Sequence, residues 1–383
     1  MTQPYDTIVV GAGPAGSAAA TMLARAARRV LLLEKDEFPR PKVCGEFLSS
    51  GALTCLEELG ARGPVEELNP ERIGRGVICW PGGPRVCFRL PAPALGISRY
   101  RLDHLLASGA GLAGAEVWLG ARVLSVEGSE GRPFRVRLIR GQTEEEVQSP
   151  TVIGAWGRWD ALDRRLERGF LLRRARFFGW SRDYSGDTEW LAGQVRLYIF
   201  PGGYCGLSRV EGNKVNLAGV VSERVRSRLP AGWTGILEHV RSSHRELDTD
   251  LSRLAPGPVG FIGSGPVFFT AKPPTERGML ITGDAAVVLD SYSGEGQAMA
   301  LASGILAARC VERWLDGQAP RERLPDIYER AWRRRFARRF GWSLAFRVLM
   351  LNPSLGRLAA RLAGETLVRL AMRRLSMREY GEL

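Results

Sequence analysis

The stretch PRPKVCGEFLSSG, residues 39 to 51, sets an ammonium, a thiol and a carboxyl at alternate positions: Lys42, Cys44 and Glu46. A thiol beside a cation ionises more readily, so Lys42 is expected to lower the pKa of Cys44. A carboxyl in such a loop can serve as a general acid. The plainer readings are that Cys44 is a small buried filler and that Glu46 caps a turn. The sharper reading is that both are catalytic and face a cofactor. Metal chemistry is not expected, because the six cysteines form no C-x-x-C pair and the three histidines, His104, His239 and His244, do not cluster with them. The same scatter shows no disulfide framework and suits a reducing compartment.

The elements that would position this loop begin with YDTIVVGAGPAGSAAATMLARAARRVLLLEKD. It reads as strand, tight turn, helix, strand. Gly11 permits the turn, Gly13 lets the backbone approach a pyrophosphate, and Gly16 lets helix pack on strand. The helix N-terminus offers N–H groups and partial positive charge to phosphates. Glu34 closes the second strand at a distance suited to a ribose hydroxyl. Together these predict dinucleotide binding without separating NAD from FAD. A second signal, RGMLITGDAAVVLDSYSGEGQAMALASGILAARC, reads as a strand over Met279–Thr282, then Gly283 and Asp284, a glycine-bearing turn over Ser293–Gly296, and a long helix from about Gln297. One ligand reaching both glycine turns requires these distant segments to converge, which a simple doubly wound nicotinamide enzyme does not need.

These segments resemble the FAD-dependent oxidoreductases that include geranylgeranyl reductases, aromatic hydroxylases and flavin halogenases. GAGPAG, GDAA and GEGQ match that group's cofactor segments, and RYRLD from Arg99 is similar to its R-x-x-L-D helix start. FPRPKVCGE and IFPGGYCGLSRVEGNKVNLAGV look most like the geranylgeranyl-reductase branch. The resemblance covers about residues 4–315. It implies non-covalent FAD, held near the first turn by Gly11, Gly13, Pro14, Ala15, Gly16, Glu34 and Lys35. Arg40, Lys42, Arg99 and Val123 would follow along the cofactor. Asp284, after Gly283, would hold a ribityl hydroxyl. Gly294, Glu295 and Gly296 would bring backbone N–H groups to the pyrimidine edge. In the reductase branch the matching cysteine lies near the flavin, which makes Cys44 the implied proton donor or pocket-shaping group. Trp156 stands where relatives often carry Asp, and Val287 and Ser291 where Gly and Pro are common; these departures point away from a standard hydroxylase pocket and a standard mode of NAD(P)H access.

The implied fold is α/β: a glutathione-reductase-like FAD-binding domain, with a mixed sheet and a Rossmann-type βαβ unit, an antiparallel-sheet substrate domain and a C-terminal helical tail. The expected boundaries are 1–75, 97–165 and 270–320 for the FAD domain, 76–96 and 166–269 for the substrate domain, and 321–383 for the tail. EVWLGARVLSVEG and FRVRLIRG read as strand pairs near the adenine side. QVRLYIF, YCGLSRVE and KVNLAGVV alternate as strands, with Gly202-Gly203 and Gly212-Asn213 as turns between them. The expected reaction is reduction of a carbon–carbon double bond in a hydrophobic, isoprenoid or polyketide-like molecule. The runner-up is monooxygenation of an aromatic or polyene substrate. Halogenation is less favoured, because W-x-W-x-I-P is missing and no lysine lies between Lys42 and Lys214; a non-catalytic flavin electron carrier is a further alternative. Electrons would come from NAD(P)H or from a reduced redox partner.

The net charge of +13 is nearly all arginine, with lysine only at Lys35, Lys42, Lys214 and Lys272. Solvated faces account for such an excess; the alternative is an anionic partner, with lipid or an acyl carrier a better fit than nucleic acid, for which no module is present. In the tail, Trp342, Phe346, Leu349 and Met350 recur at helical spacing until Pro353. They read as packing on the domain or as an amphipathic face for a membrane-delivered substrate. The tail is thus expected to bear on substrate access rather than on FAD. No basic-then-apolar leader and no span of ~18 apolar residues is seen, so the expected location is cytoplasmic, with peripheral contact at the inner membrane face as an extension.

Overall fold

The computed structural model describes residues 5–128, 132–173 and 176–375. The first apolar run becomes the strand Thr7–Val10, central in a six-stranded sheet. It pairs in parallel with Val30–Leu33 on one side and Thr151–Gly154 on the other. Glu116–Trp118 extends one edge, and Met279–Ile281 followed by Thr275–Glu276 the other. Strands buried on both faces read as continuous apolar runs, which is why TIVV and VLLL carry no alternation and are wholly buried.

Between the first two strands lies the helix Pro14–Arg25, whose alanine face packs on the buried helix Gly296–Leu315. Contact here is backbone to backbone. A Cβ on Gly304 would fall 2.1 Å from the Ala15 carbonyl oxygen; on the strand side of the first helix, one on Gly16 would fall 1.8 Å from the Gly11 carbonyl oxygen. No side chain larger than hydrogen fits either position.

The second layer is an eight-stranded, mostly antiparallel sheet. Its centre is the meander Gln194–Phe200, Gly203–Arg209 and Val215–Ser222, in the expected register of strands and turns. Gly202 (φ +87°) and Gly212 (φ +68°) take the left-handed conformations that the turns require. Strand Glu71–Cys79 lies wholly in this sheet, pairing in parallel with Gln194–Phe200, so the boundary drawn at residue 75 falls inside a strand. The short strand Phe47–Leu48, just after the Cys44 loop, joins the same sheet at its edge and ties that loop to the substrate side. The strands Ala121–Glu127, Phe134–Arg140 and Thr143–Ser149 form a separate three-stranded sheet; Glu116–Trp118, read with them from the sequence, belongs to the parallel sheet instead.

The tail is two helices, Leu324–Leu351 and Pro353–Leu375, broken at the proline as expected; residues 376–383 lie outside the described residues. A row at roughly four-residue spacing (Tyr328, Trp332, Phe336, Ser343, Phe346, Met350) is buried. The stripe expected from the sequence therefore splits. Phe346 and Met350 point inward, Leu349 is half-buried, and Trp342 is exposed and stacked on Phe346 at 6.0 Å between ring centres. Tyr328 donates to the Ile281 carbonyl at 2.9 Å, which docks the tail directly behind the strand leading to Asp284. No described helix is long and apolar enough to cross a membrane.

Candidate active site

Three clefts meet along the loop after Val30–Leu33. The outer cleft is lined by Gly11, Gly13, Glu34, Lys35, Arg40, Lys42 and Val123, among others. The central cleft takes in Gly13, Pro14, Ala15, Lys42, Cys44, Glu46, Arg99, Gly283, Asp284, Gly294 and Gly296. The apolar cleft lies against the antiparallel sheet between Phe88, Leu90, Leu197, Tyr204, Val220 and Tyr292, with Met372 of the last helix also lining it. The structure thus gathers nearly all the residues singled out from the sequence. Gly16 and Glu295 line none of these clefts. Gly16 acts through packing, and the buried Glu295 accepts from Ser49 Oγ at 3.1 Å.

At the outer end, Gly11 is left-handed (φ +102°), and a Cβ there would strike the Ala155 carbonyl at 2.5 Å. The first helix starts at Pro14 with Gly13 as N-cap and no side-chain cap, leaving its end open to an anion. Glu34 is buried, accepting from the Ala12 N–H at 2.8 Å and the Asp36 N–H at 3.1 Å. Arg40 is held by Asp36 at 3.0 Å, Asp103 at 3.3 Å and Glu34 at 3.7 Å, while Lys35 pairs with Asp160 at 2.7 Å. The charges of Arg40 and Lys35 are therefore engaged within the protein while both side chains line the outer cleft. Arg99 is likewise paired, with Asp103, at 2.5 and 2.7 Å.

At the other end, Asp284 keeps its carboxylate largely unengaged, 3.7 Å from Arg158 Nε and open to the cleft. Its backbone is pinned from behind. Buried Lys272 donates to the carbonyls of Asp284 at 2.9 Å and Arg158 at 2.7 Å. Arg168, paired with Asp163 at 3.1 Å, donates to the Ala285 carbonyl at 2.8 Å. Burial above all pulls the Lys272 pKa down to about 8. Gly294 is left-handed (φ +68°), and a Cβ on it would meet the Phe47 ring at 2.8 Å. Between Asp284 and that turn sits Asp290, fully buried and gripped by Arg347 of the tail at 2.8 to 3.0 Å and by Ser343 Oγ at 2.9 Å. The tail therefore braces the Asp290 loop directly, and through Met372 it also lines the apolar cleft.

Cys44 lines both the central and the apolar cleft. Its Sγ accepts from the Glu46 N–H at 3.3 Å and faces Gln297 Nε2 at 3.6 Å; Asn216 Nδ2 donates to its carbonyl at 2.8 Å. Its pKa moves opposite to the expectation. Burial raises it, and the cation that opposes this most is Arg99, not Lys42. Lys42 is itself pulled down to about 8, by burial and then by the neighbouring Arg99 and Arg40. The site favours a protonated thiol rather than a thiolate. Glu46 is pushed up to about 8, chiefly by burial, against the hydrogen bond that its Oε1 accepts from the Arg99 N–H at 3.0 Å. Arg158, Lys272, Arg168, Gln297 and the Asp290–Arg347 pair were not singled out from the sequence. For Lys272 a signal existed: it is one of four lysines in an arginine-rich chain.

A family model described as an FAD binding domain matches residues 4–171. A menaquinone reductase of Mycolicibacterium smegmatis is 30% identical over 326 residues, covering 80% of this chain and 76% of the relative. A digeranylgeranylglycerophospholipid reductase of Methanopyrus kandleri is 28% identical, covering 96% and 92%. Among solved structures, a geranylgeranyl bacteriochlorophyll reductase-like protein of Thermoplasma acidophilum superposes with a TM-score of 0.77 at 21% identity, covering 97% of this chain and 92% of that one. A myxobacterial chondrochloren halogenase gives 0.81 at 21%, covering 98% and 92%. The fold and the two glycine turns define an FAD-dependent oxidoreductase. The chain belongs to the family of FAD-dependent oxidoreductases that includes menaquinone and geranylgeranyl-type reductases. The residues present fit FAD: an uncapped helix end behind Gly13, a second helix N-terminus at Gly296 with no side-chain cap, and an open carboxylate at Asp284 between them.

Proposed function

We propose that this protein reduces a carbon–carbon double bond of an apolar, isoprenoid-like substrate bound in the apolar cleft. The observation that carries the reading is Cys44, a half-buried thiol on the seam between the central and apolar clefts, whose pKa its surroundings raise. Bound FAD, once reduced, supplies the hydride and its two electrons. What the protein must add is a proton at the second carbon, delivered out of contact with water, and Cys44 Sγ–H is placed to give it. Glu46 and Asn216 hold the loop that carries the thiol. The sheet residues Leu197, Tyr204 and Val220, with Phe88, give the substrate an apolar bed. The named actions of the relatives, on a menaquinone and on a digeranylgeranylglycerophospholipid, support a lipid-like substrate. NAD(P)H or a reduced protein partner is the proposed source of electrons. The tail's exposed Leu344, Val348, Leu355, Leu358 and Leu362, flanked by arginines, are the proposed point of contact with a lipid surface.

The test offers the purified, flavin-loaded protein menaquinone and a geranylgeranylated glycerophospholipid under dithionite or NADPH, and weighs the product. Two added hydrogens are expected. Cys44→Ser should keep FAD and lose turnover by roughly 10²–10⁴-fold, the range for loss of a general acid. A product with one added oxygen, made equally well by Cys44→Ser, would refute the reading in favour of a monooxygenase.

A further inference from the structure

The Cys44 loop separates the central cleft from a fourth, side cleft that opens on its far side, between Ser98 and Arg101 of the Arg99 helix start and the strand residues Ser181, Arg182 and Asn216. Among the described residues, Lys42 and Glu46 alone line both openings. A proton donor buried under a bound flavin and an apolar substrate has lost its own route to water, so it can act once and no more unless another group reprotonates it. The wall between these clefts is where that group must sit, and it is built of two titratable side chains.

Glu46 is held there against its own backbone preference. Its φ of +54° is left-handed, which costs a residue with a Cβ. Three hydrogen bonds enforce it: Ile97 N–H donates to its carbonyl at 3.0 Å, Arg99 N–H to its Oε1 at 3.0 Å, and its own N–H goes to Cys44 Sγ at 3.3 Å. Carboxyl and thiol are thereby fixed on one turn, one reaching the side cleft and the other the apolar cleft. The side cleft also holds Glu211, which accepts from Ser98 N–H at 2.8 Å and lies 3.7 Å from Arg101.

We propose that Glu46 is a proton port, taking a proton from water in the side cleft and passing it to Cys44. The proposal rests on the reductive reading above. In each turnover one carbon of the double bond receives a hydride from flavin reduced by NAD(P)H or by a reduced partner protein. The other carbon receives the proton of Cys44 Sγ–H. The resulting thiolate takes the proton of the Glu46 carboxylic acid, and the Glu46 carboxylate takes one from water, so thiol and acid both return to their starting state. The charged and titratable groups facing Glu46 fit the task. Lys42 and Cys44 share its loop, Arg99 and Asp103 come from the following helix, and Glu211 from the turn before Val215. Arg182, Asp183 and Lys214 stand farther round the cleft. Burial, with help from Glu211, keeps Glu46 protonated at neutral pH, with a pKa near 8, so the proton to be given is present before it is needed.

The test uses the full-length, flavin-loaded protein. In pH-difference infrared spectra, a carboxylic-acid band should titrate at about pH 8. It should be missing in Glu46→Gln and titrate at lower pH in Glu211→Gln, where a like charge is removed. In single turnover of dithionite-reduced protein with whichever of the two lipid probes is accepted, Glu46→Gln should slow substrate reduction by roughly 10²-fold or more, raise the solvent deuterium isotope effect, and leave the flavin spectrum and the product unchanged. Val259→Trp is placed on the side cleft and lines neither the central nor the apolar cleft. It should slow the same step without altering the flavin, and it keeps the question open to refutation if Glu46→Gln misfolds. Lack of a band titrating near pH 8, or a reduced product formed at the wild-type rate by Glu46→Gln, overturns the port and leaves the reductase standing. An oxygenated product overturns the reductive reading and the port together.

Discussion

Replacing Arg347 by Met should destabilise the protein and loosen its flavin. Asp290 is 1% exposed, and Arg347 supplies three of its close contacts, at 2.8, 3.0 and 2.8 Å. In Arg347→Met the carboxylate keeps only Ser343 Oγ at 2.9 Å. Removing one partner of a buried pair costs about 3–5 kcal/mol; because Arg347 is itself partly exposed, ~3 kcal/mol is the better figure. At about 2.1 cal/mol/K of unfolding entropy per residue, 383 residues give about 0.8 kcal/mol/K, hence a fall in Tm of ~4 °C. The loss should deepen as pH rises. Burial already raises the Asp290 pKa above its ordinary value, and without Arg347 it rises further. The folded variant then binds a proton that the unfolded chain has released, and stability falls as pH climbs from the ordinary carboxylate range through the raised value. Asp290 lines the central cleft, so FAD occupancy should fall too. The double variant Asp290→Asn/Arg347→Met should recover part of the loss, since no buried charge is left unpaired. Calorimetry and the ratio of flavin to protein absorbance measure both effects. An Arg347→Met protein with unchanged Tm and full flavin would refute the view that the tail clamps the cofactor-side loop.

Asp284→Ala should purify with much less FAD, because the open carboxylate between the two glycine turns is lost, and Gly16→Val should do the same by forcing helix from strand; full flavin in both would sink the site assignment. The protein should float with anionic but not zwitterionic liposomes at low salt, and release as salt rises. Indifference to anionic lipid would mean that the outward leucines and arginines of the tail serve another purpose.

The parts legible in the sequence are those that backbone geometry dictates locally. Gly11, Gly13 and Gly16 declare a turn and a close helix–strand approach whatever surrounds them, and the alternation in QVRLYIF and KVNLAGVV declares a half-buried sheet. The placement of Cys44 against the cofactor-side cleft was legible, but the direction of its pKa was not. Sequence proximity put Lys42 beside it, whereas the structure sets Arg99 and a desolvating wall there. Asp290 and Arg347 are 57 residues apart, and nothing in either segment points to the other. Lys272 and Arg168 act on carbonyl oxygens of the Asp284 turn, and a main-chain acceptor leaves no mark in side-chain identity. The tail's stripe was read at the right period but partly the wrong phase, because Trp342 and Leu349 satisfy the same spacing as the buried row.

The close seating of the Pro14–Arg25 helix against Gly296–Leu315 bears on which flavin the protein can keep. These helices open at opposite ends of the cofactor's expected path, one behind Gly13 and the other at Gly296. Where they meet, a hydrogen of Gly304 stands in place of a side chain, with the Ala15 carbonyl oxygen directly against it. Neither helix can slide along the other without driving main chain into main chain. The gap between the two open ends is therefore a fixed length, a caliper set by packing rather than by any group that touches the ligand. A flavin that carries a phosphate, FMN or FAD, gains from both jaws, whereas riboflavin can reach one. Discrimination between phosphorylated and unphosphorylated flavin would then be a matter of reach, and a Gly304→Ala change, which must displace the Ala15 backbone that lines the central cleft, would be felt as a loss of that preference.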